Sequence, residues 1–454
     1  MKRFLNTLKN IWKIKELRQR ILFTFAMLAV YRLGSYVVLP GVDPSQLDTG
    51  SGNANDLLGL INMFTGGAFQ NAAIFALGIM PYITASIVVQ LLGFAVPYFQ
   101  RLQQKEGESG RKKLNQITRF LTLAVTLVQG GGYLTYLVSN NAVAPGVSQG
   151  LFWFANIIIL SAGTIFAMWL GERITDRGIG NGVSLLITVG IIARLPQAMI
   201  AEFQLQLAQN GLILFLIELA AMYAVVMVTV LIVQGVRKIP IQFAKRMVGR
   251  GSSAVAMSNV RDYIPVKVNA SGVMPIIFAQ ALMFLPATLV TFVSGGDPAA
   301  APGWLRALSN PYSGASAVFT FLLVVVFTYI YTALLVNPKQ YADHLKRQNA
   351  FIPGVKPGKA TADFIDNIVS RITLPGSIFL GIIAILPAIA VAFGVNPSLA
   401  SFFGGTSMLI LVAVVLDTLQ QIESHLLMRR YDGLVKSGRI QGRSSRMQGI
   451  GAGM

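Results

Sequence analysis

Four side chains have the type and setting for acid–base or ion chemistry. Glu218 and Asp417 fall inside long apolar runs, and His344 and His425 are the only histidines. An acid buried in a bilayer marks a proton or ion pathway, because its charge is costly there unless it is used or paired. These groups are too sparse for such a pathway. Asp417 lies close to the end of its run, and both histidines lie outside the apolar runs without a paired ligand. No H-E-x-x-H, G-x-x-x-x-G-K-[ST] or G-x-S-x-G pattern occurs. Gly178-Ile179-Gly180-Asn181-Gly182 is glycine-rich, but it joins two apolar runs and not a strand to a helix, so it does not fit a dinucleotide. The chain has no cysteine, which removes disulfides and thiolate metal sites and leaves the redox compartment open. The expectation is a protein that is not an enzyme and carries no cofactor, driven by a partner or a gradient.

A different signal is repeated. Gly78-Ile79-Met80-Pro81-Tyr82-Ile83-Thr84-Ala85-Ser86 returns as Gly272-Val273-Met274-Pro275-Ile276-Ile277-Phe278-Ala279-Gln280, with Gly, Met, Pro, Ile and Ala at equal offsets. Gly and Pro interrupt membrane helices where a neighbour or a cavity satisfies the freed backbone. A matched pair of interrupted helices in two halves points to the working site. Coincidence in a chain with 44 Gly and 19 Pro is the competing reading.

The elements that must position these residues are apolar runs of about 20 residues, long enough to span a bilayer. Of the 454 residues, 54% are hydrophobic and 12% charged, against about 25% charged in globular domains. Ten spans are expected, at 21–38, 75–96, 120–138, 152–170, 181–199, 212–236, 272–293, 317–336, 374–395 and 401–419. The fifth is the weakest, with Arg194 and Pro196 interrupting it. The first is too long for a cleaved signal peptide and is read as a permanent anchor.

The net charge is +19, and 34 of the 37 Lys and Arg residues fall on one side of this arrangement; Arg32, Arg194 and Arg306 are the exceptions. The positive-inside rule then puts both termini in the cytoplasm. Span 2 runs inward and span 7 outward, so the repeat is an inverted one. The expected fold is an all-α polytopic membrane protein with ten transmembrane helices in two pseudo-symmetric inverted five-helix halves, 21–199 and 200–430.

Residues 1–20 carry apolar and basic residues at helical spacing, which suits an amphipathic helix on the membrane surface or a basic topological flank. The loops 237–271 and 337–371 hold Lys245, Arg246, Arg250, Lys356 and Lys359, a surface for phosphate-rich RNA or an acidic protein. Loop charge demanded by topology alone is the plainer alternative. On the other side, Leu57, Leu58, Leu60, Ile61, Met63 and Phe64 form a short apolar segment ending at Gly66-Gly67. It either folds back into a vestibule or lies at the interface. The basic tail 431–454 is expected to be disordered.

Several motifs then carry a resemblance. Phe75–Leu92, Ile61-Asn62-Met63-Phe64-Thr65-Gly66-Gly67, Asp176–Gly182, Pro265-Val266-Lys267-Val268-Asn269 and Phe403-Gly404-Gly405-Thr406-Ser407 resemble, in order and over essentially the whole chain, the signatures of the SecY family of bacterial protein-conducting channels. The resemblance implies two halves closing around an hourglass pore. Its waist would be a ring of Ile79, Ile83, Ile187, Ile277 and Ile410, since branched apolar side chains at a constriction dewet it. It also implies a plug at 57–69 that includes Asn62, Gly66 and Gly67. A lateral gate between spans 2 and 3 and spans 7 and 8 would carry Gln90, Gln129 and Gln280, some of them bonding across it. The basic loops would dock a translating ribosome through its rRNA, or the motor SecA. Lys356 departs from the arginine usual at that position, which keeps the charge but loses the bidentate fork.

Further implied partners are SecE, SecG, signal sequences, nascent polypeptides and membrane lipids, and the implied location is the bacterial inner membrane. The function expected is passage of unfolded secretory chains and sideways release of membrane helices. A secondary transporter with inverted repeats is the alternative, and a polar central lining would favour it.

Overall fold

The computed structural model describes residues 12, 14–48, 62, 65–104, 107–145, 148–208, 211–243, 262–280, 282–283 and 302–436. The long helices are α1 Lys15–Gly34, α2 Met80–Ala95, α3 Pro97–Gln104, α4 Gly107–Ser139, α5 Gln149–Arg177, α6 Gly182–Ala208 and α7 Leu212–Gln234. After them come α8 Gly314–Leu335, α9 Pro338–Arg347, α10 Lys359–Ala392 and α11 Gly405–Lys436. Seven of the described helices are long and apolar enough to cross a membrane, which makes this a multi-pass membrane protein. They coincide with expected spans 3, 4, 5, 6, 8, 9 and 10. Their apolar residues outnumber what the interior can hold, so α4 exposes Phe120 and Val128 and α7 exposes Ile213. A helix facing lipid has no need to bury these side chains.

Span 1 is α1, which ends at Gly34, so 35–38 lie beyond the helix. Lys15 to Arg20 form the first turns of α1, and residues 1–11 of the expected amphipathic segment lie outside the described residues. Span 2 is helical only from Met80. Before it, residues 65–79 form a chain of turns stitched to its surroundings. Leu39 N–H donates to Ala72 O (2.8 Å), Ile74 N–H to Val37 O (2.9 Å), and the Tyr133 hydroxyl to Phe69 O (2.7 Å).

Pro81 therefore does not interrupt a helix. It sits in the first turn of α2, where its missing N–H leaves no bond unmade. The second copy behaves alike, with helix beginning at Met274 and Pro275 following. In each copy the glycine two residues earlier turns the chain with positive φ, 54° at Gly78 and 65° at Gly272. Most of the rest of span 7 lies outside the described residues.

The expected interruption of span 5 is corrected as well. α6 passes through Pro196 to Ala208, so the 199/200 boundary between halves falls inside one helix. In α10, Pro387 lacks the N–H that would bond Ile383 O. Gly404 packs against that carbonyl, where a Cβ would sit 2.5 Å from the oxygen.

The two basic loops are not independent. Ile239 and Ile241 alternate inward along β1 Val236–Phe243, which pairs antiparallel with β2 Asp262–Lys267 and with β3 Ala350–Phe351, in the order β2-β1-β3. β3 meets β1 only at Gln242 and Phe243, so Pro240 and Pro265 lie where the ladder has a free edge. Ile239, Ile241, Leu345, Ala350, Ile352, Ile365 and Val369 close a small core that fuses both loops to the start of α10. Outside the membrane, the helical fold thus carries a three-stranded sheet.

Candidate pore, seam and docking face

The five isoleucines come from four separate parts of the chain and meet in one apolar cluster. Ile79, Ile187 and Ile410 are buried in it, and Ile83 and Ile277 pack against it half-buried. Ile79 caps α2, Ile83 lies a turn further on, and Ile277 is its counterpart in the second copy. Ile187 is placed by the turn Gly178–Gly182. There Ile179 N–H donates to Thr24 Oγ1 of α1 (3.1 Å), and Gly180 N–H to Gln421 Oε1 of α11 (2.9 Å). Gly182 N–H donates to Thr175 Oγ1 of α5 (2.9 Å). That glycine-rich stretch holds helices together by backbone donors and close approach.

A second cluster joins the two repeat copies. Ile87 of α2 packs with Phe278 and with Tyr331 of α8, lined by Ile83, Met274, Ile277 and Phe327. Phe278 lies 5.5 Å from Phe327 and 5.1 Å from Tyr331, ring to ring. This seam between spans 2 and 7–8 is apolar. Among the described contacts the three glutamines do not bridge it. Gln90 Nε2 donates within its own helix to Ser86 Oγ (3.4 Å), Gln129 is exposed, and Gln280 Oε1 accepts from Thr406 of α11 (3.0 Å).

Of the apolar segment before the diglycine, Leu57, Leu58, Leu60, Ile61, Met63 and Phe64 lie outside the described residues. Asn62 is buried and exchanges bonds with Gln70: Asn62 Nδ2 donates to Gln70 Oε1 (2.8 Å), and Gln70 N–H to Asn62 Oδ1 (3.1 Å). Gly66 and Gly67 have φ of 65° and 97°. Lys245, Arg246 and Arg250 also lie outside the described residues, whereas Lys356 and Lys359 are exposed. The sheet adds exposed Arg237, Lys238 and Lys267, with Lys238 Nζ 4.7 Å above the Tyr263 ring. The alternation of Lys238 and Pro240 with Ile239 and Ile241 was the available signal.

Sequence reading placed two acids in the membrane, and the structure changes the pair. Asp417 is exposed and accepts from Gln421 Nε2 (3.2 Å). Glu202, overlooked because it follows Pro196, is fully buried on α6 and shares Gln206 Nε2 with Glu218 (2.9 and 3.2 Å). Its other oxygen accepts Asn396 N–H (2.9 Å), tying down the turn before α11. Tyr312 donates to Pro397 O in the same turn (3.4 Å), and burial pushes its hydroxyl pKa up. Neither acid belongs to the isoleucine cluster.

A family profile described as SecY matches residues 73–419. A protein translocase subunit SecY of Chlamydia trachomatis is 39% identical over 96% of this chain and 99% of its own length. Among solved structures, a SecY channel whose plug domain is described as stabilising the closed state and maintaining a membrane seal is similar at TM-score 0.60. It is 21% identical and covers 91% of this chain and 93% of its own. Sec61 in a canine ribosome–channel complex from the endoplasmic reticulum is similar at 0.56 and 17%, with the same coverage. At those identities the structural likeness concerns the fold.

Proposed function

The chain belongs to the SecY family, and from that membership we propose that it forms the protein-conducting channel of a translocase. Unfolded secretory chains pass through the isoleucine waist, and apolar helices leave sideways through the seam. The observation that carries this reading is the convergence of Ile79, Ile83, Ile187, Ile277 and Ile410 in one cluster. A constriction of branched apolar side chains sheds water and blocks ions. Because its members come from four separate parts of the chain and touch through aliphatic side chains, small helix shifts part the ring around a polypeptide with no polar bond among the ring side chains themselves. A transporter waist would converge on polar groups, and the polar cluster at Glu202 and Glu218 lies elsewhere.

In this reading spans 1–5 and spans 6–10 are the inverted halves, divided after α6 ends at Ala208 and not at 199/200, with both termini in the cytoplasm of a bacterial cell and the protein in its inner membrane. Residues 57–69 are the plug that fills the outer funnel at rest. The apolar seam is the lateral gate, and its lack of polar bridges leaves dispersion contacts that an entering apolar helix replaces with its own. The basic sheet, with Lys245, Arg246, Arg250, Lys356 and Lys359, docks a ribosome or SecA; the similar Sec61 was solved with a ribosome. SecE and SecG complete the assembly.

The absence of cysteine makes the test direct. Single cysteines replace Ile79, Ile187, Ile277 and Ile410, with Val128, exposed on α4, as the lipid-facing control. A secretory chain halted midway is expected to form disulfides with the four ring positions and not with position 128. Translocation that proceeds with crosslinks at the control alone, or at none, refutes the waist.

A further inference from the structure

Positive charge is disfavoured on the outer side of a bacterial membrane protein, yet Arg32 and Arg194 lie there, near the ends of spans 1 and 5. Both reach the same short stretch of chain. Arg32 Nη1 donates to Gly66 O (3.0 Å), while its guanidinium stands 5.5 Å above the Tyr36 ring and its Nη2 donates to Tyr36 Oη (3.3 Å). Arg194 Nη2 donates to Gln70 Oε1 (2.9 Å), the atom that also takes Asn62 Nδ2. Asn62 O in turn accepts Gly67 N–H (2.9 Å).

The fit leaves no room for a side chain at the first glycine. A Cβ on Gly66 would stand 2.4 Å from Arg32 Nη1 and 2.7 Å from Gly190 Cα of α6. On Gly67 it would meet Arg194 Nε and Nη2 at 3.5 Å. Downstream, Phe69 is locked by Tyr133 and buried in a second apolar cluster. The freedom left to the chain therefore lies at the diglycine, where both residues hold positive φ and turn easily. Two cations, one on α1 and one on α6, hold that hinge.

We propose that Arg32 and Arg194 are positioning residues that clamp the Gly66-Gly67 hinge, and that their release is a step in opening the channel. The clamp stands on the contacts above, whereas its role in opening rests on the channel reading. Charge-assisted bonds suit the task, being strong when aligned and lost over a small rotation. Lysine at either position would preserve outer charge but lacks the planar guanidinium, whose separate N–H groups at Arg32 hold Gly66 O and Tyr36 Oη at once. A merely topological role would not distinguish the two residues.

The test uses the full chain in its assembled translocase, with Thr65→Cys as the sole cysteine. Thr65 is buried next to the hinge, so a membrane-impermeant maleimide added outside reads release of the clamp. R32Q and R194Q are each expected to speed labelling about tenfold, which corresponds to about 1.4 kcal/mol. Q70L, which leaves both arginines in place, is expected to do the same, and R32K and R194K to fall between Gln and Arg. If an arginine variant does not accumulate in the membrane, Q70L and the lysine variants decide. Labelling unchanged by Q70L, or lysine variants matching arginine, overturns the clamp whatever the channel does. Faster labelling with a raised resting ion leak supports the whole proposal. Faster labelling with no change in leak or in client passage overturns the opening step and leaves the clamp standing. The ring crosslinks tell separately whether the channel reading fails.

Discussion

Replacing Gly182 by alanine should damage this protein, while the same change at Gly132 should not. At Gly182 the new methyl carbon would lie 2.0 Å from Gly171 O and 2.7 Å from Ile174 Cβ. Real Cβ contacts essentially never fall under 3.0 Å, so the start of α6 must retreat from α5 by at least about 1 Å. That retreat strains or breaks the Gly182 N–H to Thr175 Oγ1 bond and pulls on the neighbouring bonds from Ile179 and Gly180. Overpacking costs about 1–3 kcal/mol. A lost hydrogen bond adds about 0.5–1.5 kcal/mol, for a total of about 1.5–4.5 kcal/mol. At Gly132, inside α4, a Cβ meets nothing within 4 Å, so alanine gains about 0.5–1 kcal/mol of helix propensity. The assay is SDS-induced unfolding of the purified chain followed by its four tryptophans. Because Ile187 follows on the displaced helix, an Ile187→Cys crosslink to a halted client should weaken in the G182A background. If G182A lay within about 0.5 kcal/mol of the parent, the size of a negligible surface change, the close approach of α5 and α6 would be refuted.

Tyr133→Phe removes one of two donors to Phe69 O at almost constant volume, and since Ala72 N–H (3.3 Å) still bonds that carbonyl, it should cost about 0.5–1.5 kcal/mol in the same unfolding assay. Ile241→Ala should destabilise the small sheet by about 2–5 kcal/mol. Limited proteolysis is then expected to cut within 236–267 sooner, with ring crosslinks retained and ribosome or SecA binding weakened. Arg119 makes a two-pronged contact from α4 to Glu172 of α5 (3.3 and 2.7 Å), but the Arg119 side chain is half exposed and Glu172 is 29% exposed. Arg119→Ala should therefore cost less than about 1 kcal/mol, and a larger loss in double-mutant cycles would show that the pair is shielded from solvent.

Much of this protein was legible in the chain itself. Hydropathy is a local sum, so each span that must satisfy lipid announces itself in about 20 consecutive residues. The bias of Lys and Arg is a sum over loops, and it orders the spans without any knowledge of their packing. The repeat around Met80 and Met274 marked equivalent helix starts, because a positive-φ glycine followed by proline in the first turn is a local device. Proline itself was misread twice. At Pro81 it opens a helix, and at Pro196 surrounding packing carries the helix through.

Tertiary structure alone decided which residues meet. Nothing near Ile187 or Ile410 distinguishes them from dozens of other aliphatic residues, and their place in one cluster with Ile79 depends on how α6 and α11 lie against α2. The pairing of Glu202 with Glu218, the fusion of two basic loops into one sheet, and the grip of Arg32 and Arg194 on a diglycine hinge share that origin. Each joins segments whose own sequences are indifferent to the partner. Hydrophobicity drives burial without direction, whereas convergence requires close-packed shapes that exist only when distant helices lie side by side.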